Sequence, residues 1–295
     1  MLRFGFDIGG TNIAAGMIDE NDRLIVKDSR RFPRKEGTDA VISVCEELYR
    51  AIMLQSGRSV DDVVGVGVAV PGSVSPQEGI VIDAHNLGFH HTPLAAMLET
   101  VLKKPVCLIN DADAATLAEH RIGALAGTRN SMLITIGTGI GGGLIMNGEL
   151  FRGGRDNGTE PGHMALRNGG RLCTCGMSGC AETYCSATRL GNDGSAFGKT
   201  TAREVIDAAK AGNEEALALF KEYIDDFGSY IASIVNLLDP EKIAIGGGVS
   251  GAGSFLLDPL RADVARKCFF ETCPDIVIAS AGNDAGIIGA CLIVS

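Results

Sequence analysis

Twice along this chain, an apolar run drives into a glycine-rich turn and returns as a second apolar run. Residues 2–8 (LRFGFDI) and 12–18 (NIAAGMI) flank Gly9-Gly10-Thr11. Residues 131–136 (SMLITI) and 142–146 (GGLIM) flank the run Gly137 to Gly143. Each pair reads as two strands around a tight turn. A short strand at Leu24 to Val26 extends the first pair into a meander. Helical segments follow each pair, and then a buried strand. Val106 to Ile109 runs into Asn110-Asp111, and Ile243 to Ile245 into Gly246-Gly247-Gly248. The repeated order predicts two related α/β lobes with a cleft between them. Residues 1–118 with 283–295 form the smaller N-terminal lobe, and 119–282 the larger C-terminal lobe, which carries the metal-binding loop.

Between the hairpins the patterning is mixed. Val41, Val44, Cys45, Leu48 and Ile52 recur at helical spacing across 38–55. Val63 to Val70 alternates valine with glycine and alanine, a buried strand ending at Pro71-Gly72. Thr92-Pro93 reads as a cap followed by proline at the first helical position, opening a helix to about Leu102. Thr201 and Glu204 form a capping box ahead of a helix that reaches Lys210. Glu214 to Leu238 reads as a long helix with a charged face.

Composition removes several function classes. A net charge of −10 with no basic run argues against a nucleic-acid partner. No apolar segment suits a bilayer span, and MLRFGFDIGG lacks the apolar stretch of an export signal. Nine cysteines without such a signal point to a reducing, cytoplasmic setting with thiols available for metal.

Three of those cysteines fall at Cys-x-Cys-x4-Cys spacing, with a histidine ten residues upstream. Cys173, Cys175 and Cys180 supply three thiolates and His163 an imidazole, the ligand mix of a structural Zn²⁺. Gly176 and Gly179 let the backbone turn tightly enough to aim the sulfurs at one point. Four protein ligands leave no coordination position for water, so the metal holds shape. The other six cysteines read as small buried apolar residues.

The glycine turns are the candidates for phosphate. In Asp7-Ile8-Gly9-Gly10-Thr11-Asn12 a carboxylate closes a strand beside backbone N–H groups and a hydroxyl, so that Asp7 can hold Mg²⁺ directly or through water. Gly137 to Gly143 is a second such turn, and neither has the Gly-Lys-Ser/Thr ending of a P-loop. Asn110-Asp111-Ala112-Asp113 joins a buried strand to a helix. Asp111 and Asp113 both suit an N-cap there, and a carboxylate so held can also accept a proton from a substrate hydroxyl. Glu160 and Glu182 flank the metal knot, which would fix them as acceptors for sugar hydroxyls. His85, His90, His91 and His120 read as surface or helix-end residues.

Together these segments resemble the ROK family of sugar kinases, within the two-lobed actin-like (ribonuclease H-like) ATPase fold. The resemblance runs from Phe4 to the C-terminus through DIGGTN (7–12), VAVPG (68–72), NDAD (110–113), GTGIGGG (137–143), EPGH (160–163), CTCGMSGC (173–180) with Glu182, LDPEKIAIGGGVS (238–250) and NDAGIIGA (283–290). It implies that Asp111 is the base toward a sugar 6-hydroxyl and that Asn110 binds neighbouring hydroxyls. Glu160, His163 and Glu182 would contact the reducing end of the ring, and Asn86 of AHNLGF the sugar as well. Asp7, Gly9, Gly10, Thr11, Gly137 and Thr138 would cradle the phosphates and Mg²⁺ of ATP, and Gly247 and Gly248 would approach the adenosine. CAETYCSATRL resembles the glucokinase-type members, so glucose is the expected sugar; N-acetylmannosamine, fructose, allose and N-acetylglucosamine are the alternatives. A homodimer is implied by the family. A sugar-sensing repressor would need a helix-turn-helix ahead of DIGGTN, where only six residues stand. An actin-like ATPase without a sugar would have no use for the zinc knot or Asn110-Asp111. The chain departs from the usual pattern at Asp113, where the family usually has Asn. That adds a like charge expected to raise the pKa of Asp111. Phe89 replaces a common Trp, and Thr159 a frequent Gly.

Overall fold

The computed structural model describes residues 1–31 and 37–294. The chain divides into two compact units. Unit 1 is Met1–Ile122, Arg152–Gly158 and Ala281–Ser295, and unit 2 is Gly123–Phe151 and Thr159–Ser280. The segment Arg152–Gly158 belongs to unit 1 although it lies in the middle of the chain.

Unit 1 is built on β1 (Leu2–Ile8), β2 (Asn12–Ile18), β3 (Leu24–Arg31), α1 (Gly37–Ser56), β4 (Val63–Val70), β5 (Ser73–Ser75), β6 (Ile80–Ala84), β7 (Phe89–Thr92), α2 (Leu94–Leu102), β8 (Val106–Asn110), α3 (Asp111–Ile122) and the C-terminal helix Ala285–Leu292. Its main sheet has the order β3-β2-β1-β4-β8, and β5-β6-β7 form a small separate sheet. The β1–β2–β3 meander is antiparallel, while β1, β4 and β8 run parallel.

Strand alternation divides β1 between two faces. Phe4 and Phe6 pack with Cys45, Leu48 and Ile52 of α1 and with Leu94 and Leu98 of α2. The opposite face carries Gly5, which pairs with Gly16 on β2 and with Gly67 on β4. These three glycines form a row across the sheet, and the C-terminal helix lies in it. A Cβ at Gly5 would stand 2.4 Å from Ile287 O, and one at Gly67 1.7 Å from Ala290 O. The Val-Gly alternation of β4 is therefore a helix seat. Gly289 does the same for the neighbouring helix, since a Cβ there would meet Ala114 O of α3 at 1.8 Å.

Unit 2 repeats the plan with β9 (Ser131–Ile136), β10 (Ile140–Met146), β11 (Glu149–Leu150), α4 (Glu182–Cys185), α5 (Ala187–Gly194), α6 (Ala202–Lys210), α7 (Glu214–Leu238), β12 (Lys242–Gly246), α8 (Ser254–Lys267) and β13 (Asp275–Ile278). The order β11-β10-β9-β12-β13 again sets an antiparallel hairpin beside parallel strands. The expected capping box is present: Thr201 Oγ1 accepts from Glu204 N, and the Glu204 carboxylate accepts from Thr201 N. Along α7, Phe220, Tyr223, Ile224, Phe227, Tyr230, Ile231, Ile234 and Val235 form one buried stripe at helical spacing. Asn213 Oδ1 caps its start by accepting from Ala216 N at 2.8 Å.

Two local readings need correction. Thr92 does not cap α2; it ends β7 opposite Val81, and Pro93 stands at the helix start without a side-chain cap. Strand pairing claims the residue that local chemistry would give to a cap. Of the six remaining cysteines, Cys45, Cys185 and Cys291 are buried, but Cys107 and Cys273 are exposed and Cys268 is half-buried. Cys107 lies on the edge strand β8, and the other two follow α8, where fewer neighbours cover a side chain.

Candidate active-site residues and metal centre

In unit 1 the candidates gather at the ends of β1 and β8. Asp7 is the next-to-last residue of β1, and Gly9 N donates to Asn12 O at 2.9 Å to close the turn. Gly9 and Gly10 are half-buried and Thr11 is exposed. The Asp7 carboxylate shares its sheet face with the glycine row and lies against Gly286 of the C-terminal helix. A Cβ at Gly286 would fall 2.4 Å from Asp7 Oδ2. Gly286 belongs to NDAGIIGA, so its motif was visible while its task was not. Burial, with repulsion from Asp111, pushes the Asp7 carboxyl up to about 6.

Asn110 closes β8 and does the capping that the sequence offered to Asp111 or Asp113. Its Oδ1 accepts from Ala112 N at 2.8 Å and from Asp113 N at 3.2 Å. Its Nδ2 donates to Gly72 O at 2.9 Å. The Asn110 amide thus ties the Pro71-Gly72 turn to α3, leaving one N–H of its Nδ2 for a ligand. Asp111 follows as the first helical residue, with Oδ1 accepting from Ala112 N at 2.9 Å. Its side chain is exposed, yet desolvation by the surrounding protein raises its pKa above the ordinary carboxylate value. Desolvation is the largest cause of that shift. The Asp113 carboxylate faces Gly158, where a Cβ would be 2.8 Å from Oδ2. Asn86 sits exposed on the turn between β6 and β7, whose Leu87 and Phe89 are buried.

In unit 2 the four predicted metal ligands converge. The ligand atoms of His163, Cys173, Cys175 and Cys180 all lie within 4.8 Å of one another. Cys175 Sγ and Cys180 Sγ are 3.7 Å apart, and Cys173 Sγ is 3.8 Å from His163 Nδ1. Sulfurs bound at ~2.3 Å to one tetrahedral ion stand ~3.8 Å apart, so the edges fit a metal such as zinc. The backbone curls to allow this. Cys173 N donates to Met177 O at 2.8 Å, and Gly176 and Gly179 take φ of 89° and 90°. Tyr184, unremarked in the sequence, braces the loop. The guanidinium groups of Arg167 and Arg171 lie 4.6 and 4.8 Å from its ring centroid, and its hydroxyl accepts from Arg171 N at 2.8 Å. The CAETYC stretch that contains it is the only sequence signal for it.

Glu160 is exposed and begins the short turn Pro161–His163 without capping it. Glu182 opens α4 and reaches the glycine turn, where Oε2 accepts from Ile140 N at 2.9 Å. Gly137 is open around its Cα, and Thr138 is exposed. Gly247 takes φ 81° and backs onto β9, where a Cβ would be 2.3 Å from Ile136 O, whereas Gly248 is exposed with open space beside it. Both glycines are exposed.

Sequence and structure comparisons agree on the relatives. The ROK family profile matches residues 3–295. Glucokinase of Halalkalibacterium halodurans is 34% identical over 304 residues, covering 97% of this chain and 92% of that protein. A ROK hexokinase from Thermus thermophilus superposes with a TM-score of 0.86 at 34% identity, over 99% of this chain and 97% of that one. A ROK family glucokinase from Streptomyces griseus, solved with glucose and AMPPNP, gives 0.84 at 30% identity, over 100% and 99%.

Proposed function

This chain belongs to the ROK family and is an ATP-dependent sugar kinase with that family's actin-like ATPase fold, and from that premise we propose that it phosphorylates the 6-hydroxyl of glucose. Asp111 carries the reading. An exposed carboxylate on the first turn of α3, with its pKa raised by desolvation, is a stronger base than an ordinary aspartate. It takes the proton of the 6-hydroxyl as that oxygen attacks the γ-phosphorus and the bond to the ADP oxygen breaks. The products are ADP and the sugar 6-phosphate. Most of the catalysis is positioning and charge neutralisation. Thr11 and Thr138 are assigned to the phosphates through their hydroxyls and backbone N–H groups, the bare Gly9, Gly10 and Gly137 are assigned to close approach of the phosphate chain, and Gly247 and Gly248 to the adenosine.

Asp7 fits a magnesium role, because two carboxylates that repel one another are the donors a divalent cation relieves. The cation, when bound, supplies charge neutralisation on the phosphates. The cluster of one histidine and three cysteines suits a structural Zn²⁺ with no coordination position left for water. Asn86, Asn110, Glu160, His163 and Glu182 are assigned to the sugar hydroxyls. Glucose is taken from the glucokinases, 31–34% identical to this chain, which stand only slightly above N-acetylmannosamine and N-acetylgalactosamine kinases at 30–32%, so a substrate panel decides between them.

The test is a coupled ADP-release assay across glucose, mannose, fructose, allose and the N-acetylhexosamines, with wild type and D111N. Glucose is expected to give the highest kcat/KM, and D111N to lose roughly 10²- to 10⁴-fold. A D111N enzyme that keeps most of its sugar-dependent turnover removes Asp111 as the base, and a best substrate other than glucose removes the sugar assignment.

A further inference from the structure

The metal cluster and the turn Gly137 to Gly143 touch at several points, all within unit 2. Beside His163, Pro161 and Gly162 press onto β10. A Cβ at Gly142 would stand 2.9 Å from Pro161 Cγ, and one at Gly162 2.4 Å from Ile140 O. Beyond Cys180, Ala187 N donates to Gly137 O at 3.0 Å. Between these contacts lies Glu182. Its Oε2 accepts from Ile140 N at 2.9 Å, while Oε1 is 3.9 Å from Cys173 Sγ. Gly139 makes this possible, because a Cβ there would be 2.3 Å from Oε2. One carboxylate is thus bound to the turn at one oxygen and lies against a ligand sulfur at the other.

We propose that Glu182 is a positioning residue that couples the metal cluster to the glycine turn. An occupied cluster fixes the loop Cys173 to Cys180, the loop and α4 fix Glu182, and Glu182 fixes the peptide between Gly139 and Ile140. This rests on the reading of that turn as a phosphate cradle, and it gives Glu182 a task beyond its sugar contact. Because coupling between two sites is reciprocal, nucleotide held by the turn must also tighten binding of the metal.

The test leaves sugar out, so that a sugar contact of Glu182 plays no part. Hydrogen exchange at the Ile140 amide and affinity for AMPPNP are measured in wild type, E182Q and E182A, each as purified and after chelation, with zinc content followed in parallel. Gln keeps an acceptor oxygen for Ile140 N, and Ala does not. In wild type, chelation is expected to speed Ile140 exchange and weaken AMPPNP by roughly ten-fold, the scale of one charge-assisted hydrogen bond. E182A should show the loosened turn with zinc still bound, and chelation should change it little further. E182Q as purified should fall between wild type and E182A, since its amide oxygen accepts from Ile140 N without the charge. AMPPNP should raise the zinc affinity of wild type, read by competition with a chelator, but not that of E182A. The coupling is overturned if chelation empties the wild-type cluster while Ile140 exchange and AMPPNP affinity hold. It is equally overturned if E182A responds to chelation as strongly as wild type. A wild type that binds no AMPPNP overturns the phosphate-cradle reading, and the coupling with it.

Discussion

Asp7 and Asp111 show how burial tunes two like groups in one unit. As the proposed base, Asp111 must be ionised to accept a proton, so kcat/KM should fall on the acid side, and its raised pKa moves that fall to higher pH than a free aspartate would give. A pH–rate profile whose acid limb lies at the ordinary aspartate value would contradict this. At Asp7 the same physics costs stability. Its carboxyl is raised from 3.8 to about 6, so the folded state binds the proton more tightly than the unfolded chain does. The contribution is harmless below pH 4, is lost as pH rises through 6, and stays lost above. D7N should therefore stabilise the protein free of nucleotide and divalent cation at pH 7.5 by about 1–3 kcal/mol, and the gain should vanish near pH 4. Thermal melts at the two pH values check this; an equal gain at both would point to a cause other than titration. The residue types and their order were readable here. The desolvation that sets their pKa values comes from the fold around them.

Elements show how far local pattern carries. The hairpins, α7 and the capping box of α6 were legible because period, cap and turn chemistry agree there with the tertiary fold. The row Gly16-Gly5-Gly67 was not. Its members are distant in sequence, and only the register of three strands aligns them beneath the C-terminal helix. The seat makes a sharp prediction. G67A puts a methyl on Ala290 O, a backbone atom with no rotamer to yield, and should cost about 2 kcal/mol or more in denaturant unfolding. G154A, where no atom lies within 4 Å, should stay within about 0.5 kcal/mol of wild type. If the two melt alike, the helix does not depend on the bare strand. Thr92 teaches the converse lesson, a good cap signal lost to a strand pair.

At the scale of the whole molecule, the repeated sheet plan and the metal knot are the organising features. Each unit sets an antiparallel meander beside parallel strands, the order that the repeated hairpins implied. No helix among the described residues is long and apolar enough to cross a membrane. The loop exposes Leu172 and Met177, and the proposed metal, together with the Tyr184 brace, would hold its shape. Purified protein should contain one zinc per chain. Chelation should open tryptic cleavage at Arg167 and Arg171, which the metal-bound form resists. Equal cleavage with and without chelator would show a loop that keeps its shape unaided.

The amino-acid order by itself determined the two hairpins, the strands at Val63 and Val106, the helices α1, α6 and α7, the candidate metal ligands and the family, since each is written in short spacings and local turn chemistry. It also named most candidate residues. Only the tertiary structure decided what those residues touch: Asn110 holding Gly72 while it caps α3, Asp7 seated on Gly286, and Glu182 tied to Ile140 beside the bare Gly139. Each such contact joins residues whose meeting depends on strand register or helix packing, and no local pattern encodes that.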